Sequence, residues 1–241
     1  MNVSIKLILL SIIAIVCIVF FLDIARFYLL IRKGKALAYA AVPFQRIIPN
    51  APMKILILGD SLEVGTGAED PSFSIAGRLG ALYPTASIEN RAVNGLKLTG
   101  LLKILDTIDS KNHYSVILVQ IGANDIIYQT KMLDIESGAN KVLTRLAPQT
   151  DKLILLSSGD VGQARIFPFY LKPLMSKRSF EVRDIYTKLA SVYGVTYIDL
   201  INSPARKLLN DNPTVYYAQD YLHLNGSGYG LWFDEIKKVL K

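Results

Sequence analysis

Ser61, Asn124, Asp220 and His223 are the residues of this chain whose types and surroundings bear on chemistry. Ser61 stands in Gly59-Asp60-Ser61-Leu62, directly after the apolar run 54–58. A short apolar run closed by glycine reads as a buried strand of a parallel sheet, and open α/β sheets place ligands just beyond the carboxyl ends of such strands. A helix beginning near Ser61 would aim its free N–H groups at an anion. The serine is thus placed as a nucleophile whose own N–H can help hold an oxyanion, although a serine after a strand is more often a helix cap. Asn124 lies in Gly122-Ala123-Asn124-Asp125, after the apolar run 115–121. A carboxamide at the carboxyl end of a strand can donate to a developing oxyanion from a fixed position. Asp220 precedes His223 by three residues. That spacing can bring the carboxylate to the imidazole Nδ1–H and leave Nε2 for the serine. The other histidine, His113, falls in the polar turn 109–114 and reads as a surface residue. Gly95, in the Asn94-Gly95 turn after a run at 86–92, permits close backbone approach, with an ordinary turn glycine as the alternative.

The elements that must position these residues follow from the apolar pattern. Strands are predicted at 54–58, 86–92, 115–121, 153–156 and 195–200, and helices at 74–82, 96–105, 136–146, 179–192 and 228–240. Strands alternating with helices imply a parallel sheet with right-handed crossovers. Asp125 and Asp199 read as loop-holding or capping residues. The segment 161–179 is less regular; its Phe, Tyr, Leu and Met residues either wall an acyl pocket, touch lipid, or cover the sheet edge.

In order and context, Gly59-Asp60-Ser61-Leu62, Asn94-Gly95, Gly122-Ala123-Asn124-Asp125 and Asp220-Tyr221-Leu222-His223 resemble the four blocks of the GDSL esterase/lipase family, in its SGNH hydrolase branch. The resemblance covers roughly residue 54 to the end of the chain and departs from the family at none of the key positions. It implies a flavodoxin-like three-layer fold, a five-stranded parallel sheet with helices on both faces. It also implies a triad of Ser61, His223 and Asp220, and an oxyanion hole made by the Ser61 and Gly95 N–H groups with the Asn124 side chain. No cofactor is implied, and no His pair or Cys cluster has metal-ligand spacing.

The first fifty residues are different in kind. The run 7–22 is apolar except for Ser11, and extended to Ala25 it has nineteen residues. At 1.5 Å per residue this is roughly 28 Å, enough to cross a bilayer core. An uncleaved transmembrane helix is expected; a cleaved signal peptide is the alternative, but the run is long for one and Ala38-Tyr39-Ala40 lies far beyond it. Arg26, Arg32, Lys33, Lys35 and Arg46 follow the run and only Lys6 precedes it, so the charge rule leans toward a catalytic domain on the cytoplasmic side. The stretch 27–44 reads either as an interfacial helix or as a juxtamembrane linker. Prolines 43, 49 and 52 place the boundary near 50. The expected organisation is an anchor at 1–31, a basic linker at 32–50 and a hydrolase domain at 51–241.

The net charge of +7 partly reflects that basic collar. No basic motif interleaved with aromatics argues for nucleic acid, whereas a membrane surface suits the charge. Cys17, the only cysteine, lies inside the apolar run, so no intrachain disulfide is expected. The expected function is that of a membrane-anchored serine esterase acting on lipid, lysophospholipid or thio-esters. An O-acetyl esterase acting on envelope carbohydrate, or a catalytically silent membrane-tethered binding module, are the alternatives.

Overall fold

A computed structural model describes residues 3–240. The chain opens with one helix, α1 (Val3–Ala40), and then enters a strand–helix alternation: β1 (Lys54–Gly59), α2 (Ser61–Val64), α3 (Ile75–Leu82), β2 (Ser87–Asn90), α4 (Leu98–Leu105), β3 (Tyr114–Gln120), α5 (Ala123–Ile127), α6 (Met132–Leu146), β4 (Thr150–Leu156), α7 (Lys172–Tyr193), β5 (Thr196–Ile198), α8 (Pro204–Asp211), α9 (Pro213–Tyr216) and α10 (Gly226–Val239). All four strand pairings are parallel, and the sheet order is β2-β1-β3-β4-β5. This is the doubly wound arrangement in which the order reverses beside β1, so a crevice forms at the carboxyl ends of β1 and β3.

The near-continuous hydrophobic strands follow from a sheet covered on both faces. Along β1, Leu56 and Leu58 face one core while Ile55 and Ile57 face the other. The first core packs β1 and β3 against Leu101 of α4, Leu143 of α6 and Tyr186 of α7. The second packs the opposite faces against Leu79 of α3 and Tyr229, Trp232 and Ile236 of α10. The fold expected from the sequence is therefore present: a five-stranded parallel sheet between two helical layers, preceded by a long apolar helix.

Three local differences have physical causes. Helix α7 begins at Lys172, not near 179, because Pro173 falls in its first turn, where its missing N–H costs no bond. Pro204 and Pro213 start α8 and α9 in the same way, in a stretch where no helix is predicted. Helix α1 runs unbroken to Ala40, through residues that the sequence reads as either an interfacial helix or a linker. Its span from Lys6 to Ala40 includes a stretch long and apolar enough to cross a membrane, and that stretch is not buried in the protein.

Candidate active site

β1 delivers Ser61. The strand stops at Gly59, and the buried carboxyl of Asp60 caps the short helix α2 by accepting the Leu62 N–H at 3.1 Å. Ser61 is then the first residue of the helix and faces the crevice. His223 comes from the other end of the chain, in the loop before α10, where its Nε2 lies 3.0 Å from the Ser61 Oγ. Its Nδ1 lies 2.6 Å from Asp220 Oδ2. The other oxygen of Asp220 accepts the backbone N–H groups of Leu222 and His223, each at 3.1 Å. Three donors thus converge on one fully buried carboxyl, and the imidazole between it and Ser61 is held in one orientation. Such a relay of nucleophile, base and orienting acid is what activation of a hydroxyl requires.

β3 delivers Asn124, the second residue of α5, whose Nδ2 donates to the Leu96 carbonyl at 3.1 Å. The same nitrogen is 3.5 Å from Asp60 Oδ2, at the limit of hydrogen bonding, so its second hydrogen is only weakly engaged. Gly95 has φ +75, which a side chain would strain, and no heavy atom lies within 4 Å of where its Cβ would be. Among the described residues, neither the Ser61 nor the Gly95 N–H has a hydrogen-bond partner. Asp125 does not join this group. Its Oδ2 accepts the Leu98 N–H at 3.0 Å and so caps α4, the loop-holding role expected of it. His113 is exposed and meets Asp151 on the surface.

Ser61, Gly95, Asn124 and His223 open into one cavity of about 450 Å³. Ile166, Phe167 and Leu222 line it, together with Asp160, Arg206 and Tyr217. Phe27, Ile31, Gly34, Lys35 and Ala38 of α1 complete its wall. Among the described residues no three His, Cys, Asp or Glu side chains converge to hold a metal ion.

The sequence profile of the GDSL-like Lipase/Acylhydrolase family matches residues 57–231, which include every residue of this site outside α1. The chain belongs to the GDSL-like lipase/acylhydrolase family. Its members are ester hydrolases of SGNH type. No curated protein matches it. Among solved structures, a member of the lipolytic G-D-S-L family from Veillonella parvula is 16% identical, with a TM-score of 0.61 over 78% of this chain and 97% of that one. Axe2, an acetylxylan esterase from Geobacillus stearothermophilus, is 16% identical, with a TM-score of 0.59 over 78% and 94%. A lipase/acylhydrolase from Enterococcus faecalis is 18% identical, with a TM-score of 0.59 over 78% and 95%. At these identities the likeness is one of fold.

Two acids of the GDSL motif region escape sequence reasoning. Burial pushes the Asp60 carboxyl up from 3.8 to about 7, a rise that the Leu62 N–H and the neighbouring His223 only partly offset. Glu63, one turn into α2, is completely buried, and neither of its oxygens has a partner among the described residues. Desolvation, with Asp60 nearby, holds its carboxyl well above the usual carboxylate range. An acidic residue in the first turn of a helix ordinarily reads as a solvated dipole partner. Only the fold reveals that α2 is sunk beneath α3 and α10.

Proposed function

We propose that the protein is a membrane-anchored serine esterase that works through an acyl-enzyme. The observation that carries this reading is the Asp220–His223–Ser61 relay beside two unpartnered backbone N–H groups. In the first step the Ser61 hydroxyl gives its proton to His223 Nε2 while Oγ bonds to the ester carbonyl carbon. The carbonyl oxygen takes the negative charge, and the Ser61 and Gly95 N–H groups and the free hydrogen of Asn124 Nδ2 hold it. Collapse of this intermediate breaks the bond to the alcohol or thiol, which leaves with the proton from His223. Water then gives a proton to His223 and attacks the acyl carbon, and the proton returns to Ser61 as the acid departs. Asp220 balances the imidazolium in both halves and takes up no proton.

The preferred substrate is a lipid ester, a lysophospholipid or an acyl thioester. The apolar lining of the cavity near Ile166, Phe167 and Leu222 supports an acyl chain. An O-acetyl ester on an envelope carbohydrate is the second reading, supported by polar side chains in the cavity lining, where Arg206 pairs with Asp160 at 2.9 Å. A silent binding module is disfavoured, because mere binding has no use for a serine in contact with an oriented imidazole.

The charge asymmetry around the apolar run supports a cytoplasmic catalytic domain. The test of the reaction class is labelling by a fluorophosphonate probe. Wild type should label at Ser61 and Ser61→Ala should not; labelling retained in Ser61→Ala, or absent in wild type, refutes the serine hydrolase reading. Turnover across a series of p-nitrophenyl esters then separates the two substrate classes, a lipid esterase preferring long chains and an O-acetyl esterase acetate.

A further inference from the structure

Helix α1 changes character at Asp23. From Leu7 to Leu22 its large apolar side chains are exposed all round, as a helix in lipid requires. From Asp23 onward, exposure falls along one stripe that includes residues 23, 27, 30, 31, 34 and 38, and most of the residues between them, 24, 26, 28, 29, 32, 33, 35 and 36, are exposed. Steps of three and four are the signature of a helix docked along one face. The stripe docks on the active site itself. Leu30 is buried in the same core as Ile166 and Phe167, and Phe27 and Ile31 pack against it. Gly34 lies against the catalytic acid: a Cβ there would stand 2.8 Å from Asp220 Oδ2. Glycine inside a helix costs about 1 kcal/mol relative to alanine, and the close approach to Asp220 is the reason for it here. At the end of the helix the Ala38 carbonyl, one of the four that a helix leaves unpaired, accepts the Asn94 side-chain N–H at 2.8 Å. Asn94 is the neighbour of Gly95, and its own carbonyl accepts the Thr66 hydroxyl at 2.6 Å. One helix therefore covers the acid, holds the loop of Gly95 and lines the cavity.

The other contact of α1 lies nearer the apolar segment. Arg26 donates to the Arg165 carbonyl, and the Phe27 and Phe167 rings are 6.2 Å apart. Phe20, inside the apolar run, meets Tyr170 at 5.6 Å. Phe169 is 74% exposed beside it. The loop 167–171 thus stands alongside the part of α1 that is built for lipid, and its aromatic side chains would enter the leaflet with it. Gly34 lies fourteen residues beyond Phe20, about 21 Å along the helix, and the Asp23–Arg26 pair stands between Phe20 and Phe27 on that path.

Resting on the esterase reading above, we propose that the docked half of α1 is the specificity wall of the active site, and that the acyl chain of a bilayer ester reaches Ser61 along it. The anchor is then a part of the enzyme. Phe27 and Ile31 read the chain, and Gly34 keeps Asp220 dry. The segment responsible precedes the part of the chain that the family profile matches.

The test uses the full-length protein in detergent and in vesicles. The ratio of kcat/KM for p-nitrophenyl dodecanoate to that for p-nitrophenyl acetate should fall about ten- to hundredfold in Phe27→Ala/Ile31→Ala, as expected when apolar pocket contacts are lost. It should not change in Leu29→Ala, on the outward face of the same helix. An unchanged ratio in the double variant, or an equal fall in both variants, overturns the wall. Failure of the hydrolase reading shows itself separately, as absent fluorophosphonate labelling in wild type. In that case dansylaminoundecanoate decides: binding lost in Phe27→Ala/Ile31→Ala upholds the wall, and equal binding overturns it. For the route, Phe169→Trp should give emission that phosphatidylcholine vesicles with brominated acyl chains quench, beyond the quenching of Trp232 in the unsubstituted protein. No added quenching overturns entry from the leaflet.

Discussion

Asn124→Ala tests the proposed oxyanion hole selectively, because the side chain makes few other bonds. Its Nδ2 gives one hydrogen to the Leu96 carbonyl at 3.1 Å and faces Asp60 with the other at 3.5 Å. Truncation therefore removes one good hydrogen bond from the folded state, worth about 1 kcal/mol. The residue lines the cavity, so water can take over the freed Leu96 carbonyl. Chemistry should suffer far more than stability. A donor aimed at the position of a developing oxyanion contributes about 10²- to 10³-fold in turnover, about 3 to 4 kcal/mol. The interaction strengthens only as charge builds on the oxygen, so kcat should fall by that factor and KM should hardly move. The assay is steady-state hydrolysis of a p-nitrophenyl ester by full-length protein in detergent, with circular dichroism melting as a check on folding. A raised KM with unchanged kcat would assign Asn124 to ground-state binding. A Tm drop large enough to unfold the protein at assay temperature would make it structural and refute the reasoning.

Three further outcomes are expected. In Asp220→Asn the Leu222 and His223 N–H groups keep an acceptor, but the new NH₂ faces His223 Nδ1 and forces the wrong tautomer; kcat should fall about 10⁴-fold with little change in melting, and a loss under tenfold contradicts the relay. Asp60 binds a proton up to about pH 7 in the folded state and releases it near 3.8 when unfolded, so stability should fall as pH rises through that window. The gap corresponds to about 4 kcal/mol, and denaturant titrations from pH 4 to 7.5 should show a shallower decline for Asp60→Asn; equal slopes would show that Asp60 is not the group responsible. A chain starting at Pro49 loses Leu30, Gly34 and Ala38 together, and should show little or no ester hydrolysis and a lower melting temperature than the full chain in detergent; full activity would mean that the α1 contacts do not matter to the site.

Much of this was legible in the sequence because the informative residues sit at strand ends. Apolar runs closed by Gly59 and by Gly122 locate β1 and β3, and with them Ser61 and Asn124, on the crevice side of the sheet. Asp220 and His223 were readable because their contact is local, three residues apart. What escaped was set by burial over long distances. Glu63 looks like a surface acid until α3 and α10 are laid over α2. The docked stripe of α1 is hidden because its outward face carries apolar residues among the basic ones, with Tyr28 and Leu29 exposed between Phe27 and Leu30. Periodicity is blurred where apolar residues stand on both faces. The helices α8 and α9 were missed because their opening prolines punctuate loops as readily as they begin helices.

The carboxyls around Ser61 have divided roles, and the division follows from their hydrogen bonds. Asp60, Glu63, Asp125 and Asp220 all have 0% exposure. Burying a charge is unfavourable unless donors replace the lost water. Asp220 receives three N–H groups, one from His223 itself, so it is equipped to balance an imidazolium. Glu63 receives none, and burial pushes its carboxyl well above the usual range. Asp60 lies between them, with one backbone donor and a distant amide, and sits at about 7. A second anion directly behind Ser61 would oppose the negative charge that must develop on the substrate oxygen. Burial disfavours that anion in both Glu63 and Asp60. Motif spacing alone would not reveal this, since it shows neither the burial of Asp60 nor the donors around Asp220. Their different counts of N–H donors are what separate an orienting acid from a helix cap.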